Sequence, residues 1–116
     1  NLQLFLKHLN ADNYRTDFRL EGCSNYAFNL ILKHPNIPFT DRLMKRMREE
    51  KIEFRRGSAG GGNQLRQPYL KKLLGDIYKN YPEVDHIHFH GFYIGNFPSL
   101  EEDKILRLCE ILNSIK

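Results

Sequence analysis

A chain of 116 residues, 41% apolar and 28% charged, has the size and composition of one compact domain, which excludes intrinsic disorder and a membrane-embedded bundle. The net charge of +4 suits an anionic partner, but the Lys and Arg residues are spread over several expected elements, unlike the clustered basic face that grips nucleic acid. No run reaches the ~18 consecutive apolar residues of a membrane span, and the first residues lack the layout of a signal peptide. The expected setting is therefore soluble and cytoplasmic.

Leu2, Phe5, Leu6 and Leu9 open the chain at helical spacing with no capping residue before them, as in a helix entered midway, so a fragment is expected. After the polar turn Asn10–Asn13 and a short extended stretch around Phe18–Leu20, the first firm strand is expected over Ser24–Leu32. There Tyr26, Phe28, Leu30 and Leu32 alternate with polar or small residues, the period of a strand with one buried face. Pro35 and Pro38 break it, and Thr40 is the expected N-cap of a helix reaching Glu50, with Leu43, Met44 and Met47 as its apolar stripe. A second strand, Ile52–Arg56, runs into the glycine-rich segment Gly57–Gly62, and Pro68 starts a helical stretch through Leu70, Leu73, Leu74 and Ile77. The loop between them is long.

A third strand is expected over His86–Ile94. The last helix has a capping box, Ser99 and Glu102, ahead of Ile105, Leu108, Cys109, Leu112 and Ile115. This order predicts an α/β (α+β) domain: a small, mostly antiparallel sheet of three to four strands with helices mainly on one face. Cys23 and Cys109 are far apart and read as reduced, half-buried thiols.

Three segments could carry chemistry. In Arg55-Arg56-Gly57-Ser58-Ala59-Gly60-Gly61-Gly62-Asn63-Gln64-Leu65-Arg66-Gln67-Pro68 a strand delivers arginines into a glycine-rich loop, where guanidinium forks and backbone N–H groups can meet phosphate or sugar oxygens. It has neither the ending of a P-loop nor the spacing of a dinucleotide fingerprint. His86, His88 and His90 would share one side of the third strand, a pattern zinc sites use, but no carboxylate or cysteine stands at a telling spacing. In Gly91–Leu100, Tyr93 and Asn96 are candidates for ligand contact. No serine or cysteine has a base arranged beside it, so independent catalysis finds no support.

The first and third segments together resemble the C-terminal end of the DegT/DnrJ/StrS sugar aminotransferase family, in particular its branch of 3-dehydratases and aminotransferases acting on nucleotide 4-keto-6-deoxy sugars. The matching residues are Ile52, Glu53, Phe54, Arg55, Arg56, Gly62, Asn63, Arg66, Gln67 and Pro68, then Phe92, Tyr93, Ile94, Gly95, Asn96, Pro98 and Leu100.

The resemblance implies a single C-terminal small domain of the aspartate aminotransferase fold over residues 1–116, with residues 1–13 ending an interdomain helix. It also implies a separate large domain holding pyridoxal phosphate, a homodimer, and a nucleotide-sugar substrate of cell-surface polysaccharide synthesis. The anchoring lysine, or the histidine that replaces it in dehydratases, belongs to that large domain, so no cofactor is expected on this chain. Arg55, Arg56, Asn63, Arg66, Gln67, Tyr93 and Asn96 become the expected substrate contacts. Proline follows the first arginine in many relatives, whereas Arg56 stands here. The residues alone leave two other readings open: a free-standing phosphate or nucleic-acid binding module, and a zinc-binding domain.

Overall fold

The computed structural model of the chain describes residues 1–22, 26–59 and 62–116. Cys23, the start of the strand expected at Ser24, and Gly60 and Gly61 lie outside the described residues. Five helices and three strands follow in the order α1 (Leu2–His8), β1 (Ala27–Ile31), α2 (Ile37–Glu49), β2 (Phe54–Arg56), α3 (Pro68–Leu74), α4 (Pro82–His90), β3 (Gly91–Gly95) and α5 (Glu102–Asn113), with 3-10 turns at Gln64–Arg66 and Ile77–Asn80. The domain is α+β, and its sheet is antiparallel in the order β1-β3-β2.

Register decides which face is buried. Phe28, Ile94 and Phe54 form one cross-strand row and Leu30, Phe92 and Arg56 the next. The apolar members of these rows join Phe5 of α1, Leu43 and Met47 of α2 and Ile105, Cys109 and Leu112 of α5 in one core. Alternation places Asn29, Tyr93 and Arg55 together on the opposite face. Tyr14 pairs with Leu32 in an isolated bridge, and its hydroxyl donates to the Leu112 carbonyl at 2.8 Å, tying the loop before β1 to α5. That phenol is fully buried, and burial pushes its pKa well above the ordinary value. No helix among the described residues is long and apolar enough to cross a membrane.

Several expected elements are corrected. Tyr26, expected on the buried face, is 79% exposed, because β1 begins one residue later and only its carbonyl joins the ladder, accepting from Asn96 N–H at 2.8 Å. α2 starts at Ile37 rather than at Thr40: Asn36 Oδ1 accepts from Phe39 N–H at 3.0 Å, and Pro38 occupies the first turn, where a missing N–H costs nothing. Thr40 Oγ donates back to the Asn36 carbonyl at 2.8 Å, and Leu43, Met44 and Met47 are buried as their spacing predicts.

β2 is shorter than Ile52–Arg56. Lys51 adopts φ 58° and Ile52 N–H closes on the Met47 carbonyl at 2.8 Å, which leaves only Phe54–Arg56 in the ladder. The helical stretch from Pro68 breaks at Gly75, φ 67°, before Ile77 is reached, and α3 buries none of its residues fully. Ser99 caps nothing; it stands in a turn closed by Leu100 N–H to the Phe97 carbonyl, and α5 starts after Glu101 without a side-chain cap.

The largest correction concerns His86–Ile94. Residues Pro82–His90 are helical, and the strand is confined to Gly91–Gly95. Proline at the first helical position and Glu83 and Asp85 in the first turn match the helix N-terminus and its dipole, outweighing the apparent alternation of histidine with apolar residues. At about 100° per residue, His86, His88 and His90 cannot share one side. His86 and His90 form one pair, ring centroids 5.2 Å apart, and His88 points elsewhere.

Candidate functional site

β2 pairs with β3 so that Arg55 lies opposite Tyr93 and Arg56 opposite Phe92. The two separate segments singled out in the sequence thus become one continuous surface. On the solvent side, Arg55 and Tyr93 border an open groove of about 730 Å³, shared with Tyr26, Arg48, Glu53 and Gly95. Arg55 is exposed and makes no hydrogen bond or ion pair among the described residues, and Tyr93 is half-buried beside it. Free guanidinium groups next to tyrosine rings suit an anionic ligand with a polar or planar body.

Arg56 points the other way, toward the helices. Its Nη2 donates to the Phe89 carbonyl at 2.9 Å and its guanidinium lies 5.9 Å from the Phe92 ring centre. Its Nε is buried without a hydrogen-bond partner among the described residues. The chain then turns against α4: Gly57 N–H donates to the Gly91 carbonyl at 2.6 Å, and a Cβ on Gly57 would overlap the Ile87 carbonyl oxygen. Glycine is required there by close approach.

The far end of the loop is fixed by a polar cluster. Arg66 forms a two-point ion pair with Asp85, Nε to Oδ1 and Nη2 to Oδ2, each at 2.6 Å. Asn63 Nδ2 also donates to Asp85 Oδ1, at 2.9 Å, and Asn63 N–H donates to His88 Nδ1 at 2.9 Å. The Arg66 guanidinium lies 4.2 Å from the Tyr78 ring centre and 4.9 Å from that of Phe89, so it is held by stacking as well as by charge. The hydrogen bonds from Arg66 lower the Asp85 carboxyl to about 2 against its own desolvation, and Asp85 raises Arg66 in return. Burial and the nearby Arg66 and Arg56 charges lower His88, with Asp85 opposing them. Burial first, then His86 and Arg56, lower His90, whose Nδ1 faces Thr40 Oγ at 2.9 Å.

The expected contact residues therefore fall into four places. Arg55 and Tyr93 meet on the open face. Arg56, Asn63 and Arg66 turn inward, and Asn63 is only 2% exposed. Gln67 precedes α3, where its carbonyl accepts from Leu70 and Lys71 N–H. Asn96 sits apart, its Oδ1 accepting from Asn1 Nδ2 at 3.0 Å.

Asp85 and His88 were missed as partners of the loop. The signal was Pro82 with the acidic residues behind it, which marks a helix and places Asp85 and His88 one turn apart. Among the described residues no group of three or more His, Cys, Asp or Glu side chains could hold a metal ion. Cys109 is buried in the core rather than half-exposed, and burial raises its thiol to about 11. No protein-family model, characterised protein or solved structure matches the chain.

Proposed function

We propose that this chain is the C-terminal small domain of a cytoplasmic, pyridoxal-phosphate-dependent enzyme that acts on nucleotide-activated keto-deoxy sugars, as an aminotransferase or a 3-dehydratase. The observation that carries this reading is the pairing of Arg55 with Tyr93. Two segments almost forty residues apart, each resembling a part of that family, meet as one face with an unengaged guanidinium. Arg55 and Tyr93 take the substrate-facing role, toward the phosphate or hydroxyl oxygens of a nucleotide sugar. Arg56, Asn63 and Arg66 support that face from behind.

The residues of this chain do not fit the cofactor as its own. An anchoring lysine is desolvated to lower its pKa, and every lysine here is exposed. The cofactor, which supplies the electron sink, would be held by a large domain and a second subunit, while this domain orients substrate and limits access of water.

The test is to purify the complete natural polypeptide that contains this chain, record the visible absorption of bound pyridoxal phosphate, and supply a nucleotide 4-keto-6-deoxy sugar with and without an amino donor. Formation of an amino sugar or a 3-deoxy sugar is expected. Arg55→Ala is expected to lower kcat/KM by roughly tenfold to a hundredfold, the loss of a charge-assisted contact of about 1.5–3 kcal/mol. A polypeptide that takes up no cofactor, turns over no nucleotide sugar and binds nucleic acid with steep salt dependence is the free-standing module instead.

A further inference from the structure

Both ends of the segment that follows β2 rest on the same turn of α4. Gly57 lies against the Ile87 carbonyl, and Gly62, at φ 57°, lies so close to His88 that a Cβ would overlap Nδ1. Between Gly62 and α4 the decisive contact is Asn63 N–H to His88 Nδ1, 2.9 Å. A backbone N–H only donates, so this nitrogen must be unprotonated and the ring neutral, with its proton on Nε2. The side chain of Asn63 is engaged elsewhere: its Nδ2 donates to Asp85 and its Oδ1 accepts from Leu65 N–H at 3.2 Å.

A second proton on His88 would set two donors against each other. The resulting cation would meet Arg56 from β2 and Arg66 from the 3-10 turn, opposed on its own helix by Asp85, which is already paired with Arg66 and Asn63. We propose that His88 is a positioning residue: neutral, it holds the Gly62–Arg66 turn on α4 behind the β2 arginines, and when protonated it releases that turn. The inference does not rest on the cofactor reading and applies to whatever anion Arg55 receives. The depressed pKa of His88 agrees with it, because burial and the flanking arginines favour the neutral ring.

The released state restores the ordinary imidazole value near 6.5 and so binds the proton more readily than the docked state. Release is therefore disfavoured above pH 6.5. It rises by up to tenfold for each pH unit as pH falls from there toward the docked-state value.

The experiment is hydrogen exchange read by mass spectrometry on the complete natural polypeptide, with rates corrected for the intrinsic effect of pH. A peptide covering Gly62–Arg66 should lose protection by about tenfold per pH unit below 6.5, while peptides from α5 stay level. In His88→Gln, whose side-chain oxygen can accept from Asn63 N–H without titrating, the same peptide should show no such loss. Level protection in the wild type, or the same loss in His88→Gln, overturns the proposal. A measurement that needs no variant is the ¹⁵N resonance of the His88 ring at pH 7.5: Nδ1 as an unprotonated acceptor supports the proposal, and Nδ1 as a protonated donor refutes it.

Discussion

Asp85→Asn isolates the ion pair that anchors the loop. The substitution keeps shape and one acceptor oxygen, which can still serve Asn63 Nδ2 and Arg66 Nε, but it places an amide N–H₂ against Arg66 Nη2, now 2.6 Å from Oδ2. Two routes give the size of the loss. A hydrogen bond to a charged group contributes about 1.5–3 kcal/mol. Independently, lowering the carboxyl from 3.8 to about 2 corresponds to roughly 2.4 kcal/mol at ~1.36 kcal/mol per unit. The pair is 26% and 22% exposed, so solvent screening trims this to about 1.5–2 kcal/mol.

For 116 residues the unfolding entropy is roughly 0.24 kcal/mol/K, and Tm should fall by about 6–8 °C. The assay is urea and thermal unfolding of the 116-residue chain at pH 7, repeated down to pH 2. Because the folded pKa lies below the unfolded one, the Asp85 contribution is complete above about pH 4 and disappears as pH falls through 2. The wild type should show that loss, and Asp85→Asn should lack it. Variant stability within 0.5 kcal/mol of wild type, or an unchanged acid slope, would falsify the assignment of the anchor to this pair.

The glycines separate close approach from conformational freedom. Gly62→Ala meets His88 Nδ1 and Ser58 Cα, whereas Gly22→Ala, at a similar φ of 69°, meets nothing within 4 Å; Gly22→Ala should cost about 1 kcal/mol and Gly62→Ala clearly more in the same unfolding assay. Asn36→Ala removes the side-chain cap on Phe39 N–H and should cost about 1 kcal/mol with no shift in the acid limb, read by urea unfolding at pH 7 and pH 3.

Legibility in the sequence followed from whether an element faces the core. The alternation Phe28, Leu30, Leu32 and the stripes Leu43, Met44, Met47 and Ile105, Cys109, Leu112 all end buried, so their periods reported real faces. α4 is different. Val84, Ile87 and Phe89 are 42%, 38% and 37% exposed, so no apolar stripe existed to announce a helix, and the spacing of three histidines mimicked a strand. The start of α5 was misplaced because the backbone turned at Phe97–Leu100 before Ser99 could cap it. In the candidate site, Arg55 and Tyr93 were legible as residue types in their segments. Arg66 with Asp85 was not, since a pair 19 residues apart becomes neighbouring only once α4 and the 3-10 turn are both in place.

The strand order β1-β3-β2 sets the timetable of synthesis. Among the described strands, β1 and β2 each pair only with β3, so until residues 91–95 have been made neither has a strand edge to join. Phe5 of α1 can stack on Phe28 before then, but α1 packs chiefly on α5, which comes later still. Contacts of such long sequence separation are slow to form. The apolar rows of this domain thus stay uncovered until Gly91–Gly95 is available to pair with both neighbours, a state prone to aggregation.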